Sequence, residues 1–314
     1  MKPILSIACA FAFLLTLSSA FSYSSVAEDP YLTKSFTLDG PGELMVETSG
    51  GGIDVTGYDG NEVTVEMYVK PNGGWSLFGS DDDDVEEALE DYTIDIRQDG
   101  STVIATAKKK KGIGNNKVSI SFTVNVPTSM SCELSTSGGS ISVANVEGEH
   151  DIHTSGGSLN FSRISGTTDA HTSGGSINIS DYSGKLAANT SGGSIRVDHT
   201  EGEAILKTSG GSINLEDIHG SIEARTSGGS IRAEVEELGE FVTLHTSGGS
   251  ITATIPDGQG MDLDLSGDKV NTKLENFSGE SKKKSINGSV NGGGIPVSMH
   301  TSGGSVTLDY QGSM

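Results

Sequence analysis

Cysteine, tryptophan and positive charge are scarce in this chain of 314 residues, which has 2 Cys, 1 Trp, 5% aromatic residues, and 20 Lys+Arg against 42 Asp+Glu for a formal net charge of −22. The deficit of cations excludes whole classes of partner. Sequence-independent nucleic-acid binding rests on Lys and Arg displacing counterions from phosphates, and so acidic a chain is repelled instead, so no nucleic-acid partner is expected. Anionic membrane surfaces are disfavoured for the same reason. Hydrophobic residues make up only 33% of the sequence while Gly contributes 44 residues, which argues for a thin core rather than one thick globular one.

Met1-Lys2-Pro3 is a short basic start, Ile4 to Leu17 is almost wholly apolar, and small residues follow at Ser18, Ser19 and Ala20 and again at Ser25 and Ala27. This pattern predicts a secretory signal peptide over residues 1–27, cleaved after Ala20 or Ala27. The apolar run is shorter than the roughly 18 residues of a spanning helix. Cys9 lies inside that run rather than at its end, which does not fit a lipidation site, so Cys132 is expected to be the single thiol of the exported chain. One thiol forms no internal disulfide, and stability must come from packing and hydrogen bonds. No apolar tail follows Tyr310, so no transmembrane segment is expected after signal removal. The product is expected in the periplasm, on the cell surface or outside the cell.

What the sequence has in abundance is repetition. Thr-Ser-Gly-Gly-Ser followed by Ile or Leu begins at Thr136, Thr154, Thr172, Thr190, Thr208 and Thr226, each 18 residues after the last, and again at Thr246 after a 20-residue unit. Near copies begin at Thr48 and Thr301, and the same unit is expected to bound both ends. A fixed short period marks a solenoid, whose units bury their apolar faces only by stacking on one another. Ile177 and Ile179, or Ile195 and Val197, alternate with polar residues at the period of two that belongs to strands. A second alternating run, such as Leu186 and Ala188, precedes each Thr, and Gly148, Gly166, Gly184, Gly202 and Gly220 lie between the runs. Each unit is therefore predicted to be two short strands separated by two glycine-marked bends.

The fold class is thus all-β, a parallel β-helix or β-solenoid of about 18-residue two-strand rungs stacked at the strand spacing of about 4.8 Å. Strand parity turns the repeated Thr inward, where its hydroxyl is expected to meet the hydroxyl of the next rung, and it turns Cys132 inward as a buried, inert thiol. An outward threonine array of the kind that binds ice is excluded by the same parity. Alternating segments at Phe36–Leu38, Leu44–Val46, Ile53–Val55, Val63–Val65, Thr93–Ile96, Val103–Ala107 and Val118–Val126 extend the all-β pattern upstream. Val85, Ala88, Leu89 and Tyr92 follow helical spacing behind Ser80-Asp81, predicting a short acidic helix near residues 82–92. The organisation expected is a signal peptide over 1–27 and one solenoid domain over 28–314. Within it, residues 28–131 carry the N-terminal strands and acidic insertion, 132–257 the regular repeats and 258–314 the C-terminal rungs.

The chain resembles the bacterial putative-adhesin family, exported β-repeat proteins of unknown function. The resemblance is carried by Thr48-Ser49-Gly50-Gly51-Gly52-Ile53-Asp54-Val55 with Gly57-Tyr58-Asp59-Gly60, by Val124-Asn125-Val126-Pro127, by the Thr-Ser-Gly-Gly-Ser-Ile units, and by Gly292-Gly293-Gly294 with His300-Thr301-Ser302-Gly303-Gly304. It implies a β-solenoid fold and an exported or envelope location, with no catalytic residues and no cofactor to carry over.

No Gly-x-Ser-x-Gly elbow, His-Glu-x-x-His pair or Gly-x-x-x-x-Gly-Lys phosphate loop occurs. Calcium-loaded β-rolls place Asp in their glycine turns, and Thr-Ser-Gly-Gly-Ser offers no carboxylate there. Asp81-Asp82-Asp83-Asp84 reads as a solvated acidic turn favourable to a helix N-terminus. Lys108–Lys111 and Lys282–Lys284 read as lysines that keep strand ends from pairing with other chains. One outward constellation could take a transition metal: Asp151 and His153, with Asp169 and His171 one rung later. Because the next rungs do not continue the pattern, a solvated Asp-His face is favoured and no metal centre is expected. The function expected is a non-enzymatic scaffold or adhesin that contacts an envelope component, glycan or protein along its polar faces. The alternative is a β-helical carbohydrate-active enzyme.

Overall fold

The computed structural model describes residues 29–72, 82–111 and 117–311. The expected signal peptide and Asp81 fall outside those residues. In chain order the elements are β1 (Leu32–Thr37), β2 (Gly42–Thr48), β3 (Ile53–Tyr58), β4 (Glu62–Pro71), α1 (Asp82–Leu89), β5 (Tyr92–Asp99), β6 (Thr102–Lys109), β7 (Val118–Pro127) and β8 (Met130–Thr136). The repeats follow as β9 (Ile141–Thr154), β10 (Leu159–Thr172), β11 (Ile177–Thr190), β12 (Ile195–Thr208), β13 (Ile213–Thr226) and β14 (Ile231–Thr246). The chain closes with β15 (Ile251–Ile255), β16 (Met261–Ser266), β17 (Lys269–Thr272), β18 (Phe277–Lys282), β19 (Ser285–Val290), β20 (Ile295–Thr301) and β21 (Ser305–Tyr310).

β9 to β14 stack as parallel neighbours, and from β9 through β13 every partner lies 18 positions along the chain, so that Thr154 meets Thr172, then Thr190, Thr208 and Thr226. The solenoid is shown. Its rungs differ in one respect from the sequence expectation: each of β9 to β13 is a single 14-residue strand that passes through the bend without leaving the ladder. The bend is made inside the strand by two residues of positive φ, a glycine such as Gly166 (φ 114°) and, three residues earlier, a non-glycine such as Arg163 (φ 54°). Helical content is as expected but shorter, because Tyr92 opens β5 and buries its ring while its hydroxyl donates to the Val118 carbonyl at 3.0 Å.

Burial follows the period of two. Ile177, Ile179, Tyr182, Leu186, Ala188 and Thr190 of β11 face the core, and the other residues of the strand are half-buried or exposed. A fully buried aliphatic side chain contributes about 1.5–3 kcal/mol relative to an exposed one, so one rung alone cannot hold its backbone against the lost entropy. Stacking supplies what the isolated rung lacks.

The motif Thr-Ser-Gly-Gly-Ser is explained by contacts with the preceding rung. Thr190 Oγ1 donates to the Gly175 carbonyl at 2.8 Å and accepts from the Gly193 amide at 3.3 Å. The same pair of bonds recurs at Thr154, Thr172, Thr208, Thr226 and Thr246. The threonines are buried as parity required, but their hydroxyls do not meet one another: each donates to a backbone carbonyl of the preceding rung instead. The final serine closes the turn, Ser176 Oγ accepting from the Ser194 amide at 3.3 Å. A Cβ on the second glycine of the pair would stand 1.9 Å from the Gly157 carbonyl at Gly175, whereas at the first, Gly174, the nearest atom is 3.6 Å away.

The near copies lie one layer in from each end. Thr48 of β2 registers with Thr136, and Thr136 Oγ1 donates to the Gly51 carbonyl at 2.8 Å. Outside that rung lie β6 and β7, each parallel to its rung neighbour, with β5 and β4 folded back on them antiparallel and β1 on β4. At the other end Thr246 registers with Thr301 of β20, and β16 and β17 lie beyond. β19 pairs antiparallel with both β16 and β18. The antiparallel returns differ from the rungs they cover and close each end of the stack with a strand of its own.

Candidate functional site

Three outward regions gather polar side chains. The first is a groove of about 510 Å³ that crosses β3, β9, β10, β11 and β12, with Asp54 and Thr56 at one end, Ser142, Ala144, Asn160, Ser162, Asn178 and Ser180 along its length, Arg196 and Asp198 at the other, and Val55, Val143, Phe161 and Ile179 beneath them as an apolar floor. In-register pairing brings these residues together, Ser142 meeting Asn160, Asn160 meeting Asn178, and Asn178 meeting Arg196. Asn178 Nδ2 donates to Asn160 Oδ1 at 3.0 Å.

The second is the Asp-His patch read from the sequence. Asp151 registers with Asp169 and His153 with His171, so all four side chains do form one patch. It adjoins a groove of about 660 Å³ that Glu43, Glu133, Glu149, Asp151 and Asp169 line with carboxylates. The two imidazoles stack face to face, with centroids 5.1 Å apart and planes 8° from parallel. Stacked rings direct their nitrogens side by side rather than toward one point. Among the described residues no three His, Cys, Asp or Glu side chains are gathered so as to hold a metal ion.

The third was not read from the sequence. At the in-strand bend, His199 Nδ1 lies 2.8 Å from Asp217 Oδ2 and His219 Nε2 lies 3.1 Å from Asp217 Oδ1, so one carboxylate joins two imidazoles across neighbouring rungs. Glu237 Oε2 approaches His219 Nδ1 at 3.8 Å. The hydrogen bond that His199 donates to Asp217 holds the imidazole above its usual pKa, and the two histidines hold the Asp217 carboxyl below the usual carboxylate range. His199 (φ 53°) and Asp217 (φ 54°) both adopt the left-handed backbone. The signal was present in the sequence: His199 and Asp217 lie 18 residues apart, at one position of the period. No single residue type fills that position, although Asn145, Asp181, His199 and Asp217, four of its five occupants, are of the types that most readily take the left-handed backbone. Here too the repeat breaks, the β13–β14 register shifting between Leu215 and Ile218 and again toward Ile222.

Against this geometry the family profile of Toastrack DUF4097 matches residues 42–309. The chain belongs to the Toastrack DUF4097 family. Two solved structures align over most of its length. One, described as a putative cell adhesion protein from Clostridium sporogenes, is 8% identical, with 89% of this chain and 99% of that one covered and a TM-score of 0.19. The other, described as a putative adhesin from Bacteroides fragilis, is 13% identical, with 89% and 96% covered and a TM-score of 0.39. No curated protein matches the chain.

Within this Toastrack chain Cys132 and His150 lie inside the stack rather than on it. Cys132 is 2% exposed, and burial pushes its thiol up to about 12. His150, its register partner, is 4% exposed, and neither ring nitrogen closes a hydrogen bond of ordinary geometry. Burial pushes the imidazole down to about 4, against a smaller upward pull from the backbone at Ser165. Both groups are packing residues that occupy positions filled by Leu186, Ala204 and Ile222 farther along. Of the basic clusters, Lys108 pairs with Glu47, Lys282 with Glu280 and Lys284 with Asp268. Lys282 ends β18, which pairs with β19 alone, and Lys108 and Lys109 end β6, where they pair with β5 beyond the last residue that meets β2. No helix among the described residues is long and apolar enough to cross a membrane.

Proposed function

We propose that the chain is an exported, non-enzymatic adhesin-type scaffold that holds an envelope component, a glycan or a protein along its polar outer faces. The single observation that carries the reading is the in-register ladder of outward side chains over β9 to β13, which repeats polar groups at the strand spacing of about 4.8 Å without gathering them around a reacting atom. Affinity on such a surface is the sum of many weak, equivalent contacts. Export rests on the signal-like residues 1–27. Retention of envelope glycans and proteins on the immobilised full chain tests it. Replacing the outward residues of one, two and then four rungs with Ala is expected to weaken retention stepwise, and total loss from any single substitution would overturn the reading.

A carbohydrate-active enzyme is the second reading, favoured by one observation: the only bridged pair of imidazoles among the described residues, His199 and His219 on Asp217, sits where the repeat breaks. Under that reading His199→Gln with Asp217→Asn abolishes product formation, while under the first it leaves ligand retention nearly unchanged.

A further inference from the structure

We propose that the groove across β3 and β9 to β12 is a docking site for an uncharged linear glycan, lying along the stack with about one sugar residue per rung. This rests on the scaffold reading above and names the site and the chemical class of its ligand. In a chain of net charge −22, the six outward residues that line the middle of the groove, Ser142, Ala144, Asn160, Ser162, Asn178 and Ser180, include none that ionises. Charge returns only at its ends, with Asp54 on β3 and with Arg196 and Asp198 side by side on β12. The second groove, by contrast, is lined by five carboxylates.

The absence of charge decides between ligand classes. An anion has only Arg196 to meet, and that guanidinium is already engaged by both carboxylate oxygens of Glu216, at 2.9 and 3.0 Å. A cation is better served by the carboxylate-lined groove. A neutral sugar presents hydroxyls that both donate and accept, and it asks no ion to shed its hydration shell. The asparagine pair is suited to this. Because Asn178 Nδ2 donates to Asn160 Oδ1, the Asn160 amino group and the Asn178 carbonyl oxygen face solvent with donor and acceptor fixed in place. Ser142 and Ser162, half-buried beside them, add hydroxyls of both capacities. Each rung advances about 4.8 Å, close to the length of one pyranose residue in an extended chain, so the Asn160 and Ser162 pair of β10 recurs as Asn178 and Ser180 of β11 in step with the polymer. The site has no exposed aromatic platform, so its affinity should be low per rung and grow with glycan length.

The test uses the full chain purified after export, titrated with neutral hexasaccharides of glucose, mannose and N-acetylglucosamine and with galacturonate hexamers, read by isothermal calorimetry and by chemical shift. A neutral hexamer is expected to bind more tightly than its trimer. Asn160→Ala with Asn178→Ala should weaken it about tenfold, and Asn160→Asp with Asn178→Asp, which keeps the shape and adds charge, should weaken it further. His153→Ala with His171→Ala, beside the other groove, should leave it unchanged. Unaltered melting temperature in all three variants establishes that the fold is intact, which these outward positions should permit. Binding abolished by the histidine variant instead, or binding of galacturonate alone, would overturn the proposal while sparing the scaffold reading. Failure of all the glycans beside retained envelope protein would likewise overturn it alone, and failure to retain any envelope material would remove the scaffold reading itself.

Discussion

The second glycine of each Thr-Ser-Gly-Gly-Ser is the residue on which rung spacing turns, because the carbonyl of the rung before occupies the place of its side chain. Gly175→Ala sets a methyl 1.9 Å from the Gly157 carbonyl carried by the backbone, and cannot be relieved without parting the rungs. It is expected to cost about 3 kcal/mol or more in denaturant unfolding, while Gly174→Ala, with its nearest neighbour at 3.6 Å, should cost less than about 1 kcal/mol. The threonine makes a second test. Thr190→Val keeps shape but leaves the Gly175 carbonyl and the Gly193 amide without the hydroxyl that joins them, and is expected to destabilise by about 1–3 kcal/mol, with Thr190→Ser closer to the parent. That threonine faces inward was legible from parity alone. Its true partner was not, because alternation states which side a residue faces and carries no information about which backbone atom of the next rung lies nearest. Cys132 was legible on the same grounds, and its thiol should resist thiol-specific reagents at pH 8 until the chain unfolds.

At the scale of the element, the rung was legible and its bend was not. Period, strand alternation and the glycine at each bend stand in the sequence, but the left-handed residue three positions earlier is marked only by a bias toward Asn, Asp and His, at Asn145, Asp181, His199 and Asp217, which Arg163 interrupts. The polar network at that bend went unread for the same reason. It has a consequence for pH. His199 has a folded pKa raised above 6.5, so it favours the fold fully below that value and loses the effect as pH rises through the raised one. Asp217, lowered, adds stability above 3.8 that disappears as pH falls through its folded value. His150 has the opposite sign to His199. Its pKa in the fold is about 4 against 6.5 unfolded, so its contribution is complete above 6.5 and is lost as pH falls toward 4. The loss is on the order of 3 kcal/mol. His150→Leu, matching the Leu186 position two rungs on, is expected to flatten the decline in unfolding free energy between pH 6.5 and pH 4. An unchanged slope would show that His150 titrates normally in the fold.

For the whole molecule, the all-β solenoid followed from the repeat because a fixed period leaves one way of burying each unit, against its neighbours. The ends did not follow from it. Thr48 to Ile53 were visible as a near copy of the repeat, yet β6 and β7 lie outside the rung that holds them, since pairing between segments distant in sequence has no local signature. The groove over β9, β10 and β11 was equally hidden: Asn160 and Asn178 are unremarkable singly and become a surface only when stacked. The central claim is that this surface binds without turnover. The measurement that meets it most directly is to incubate the full chain with bacterial envelope glycans and to size both the retained polymer and the supernatant by mass spectrometry. The expected result is retention of polymer at its original length. Shortened products that disappear in the Asp217→Asn chain would contradict it.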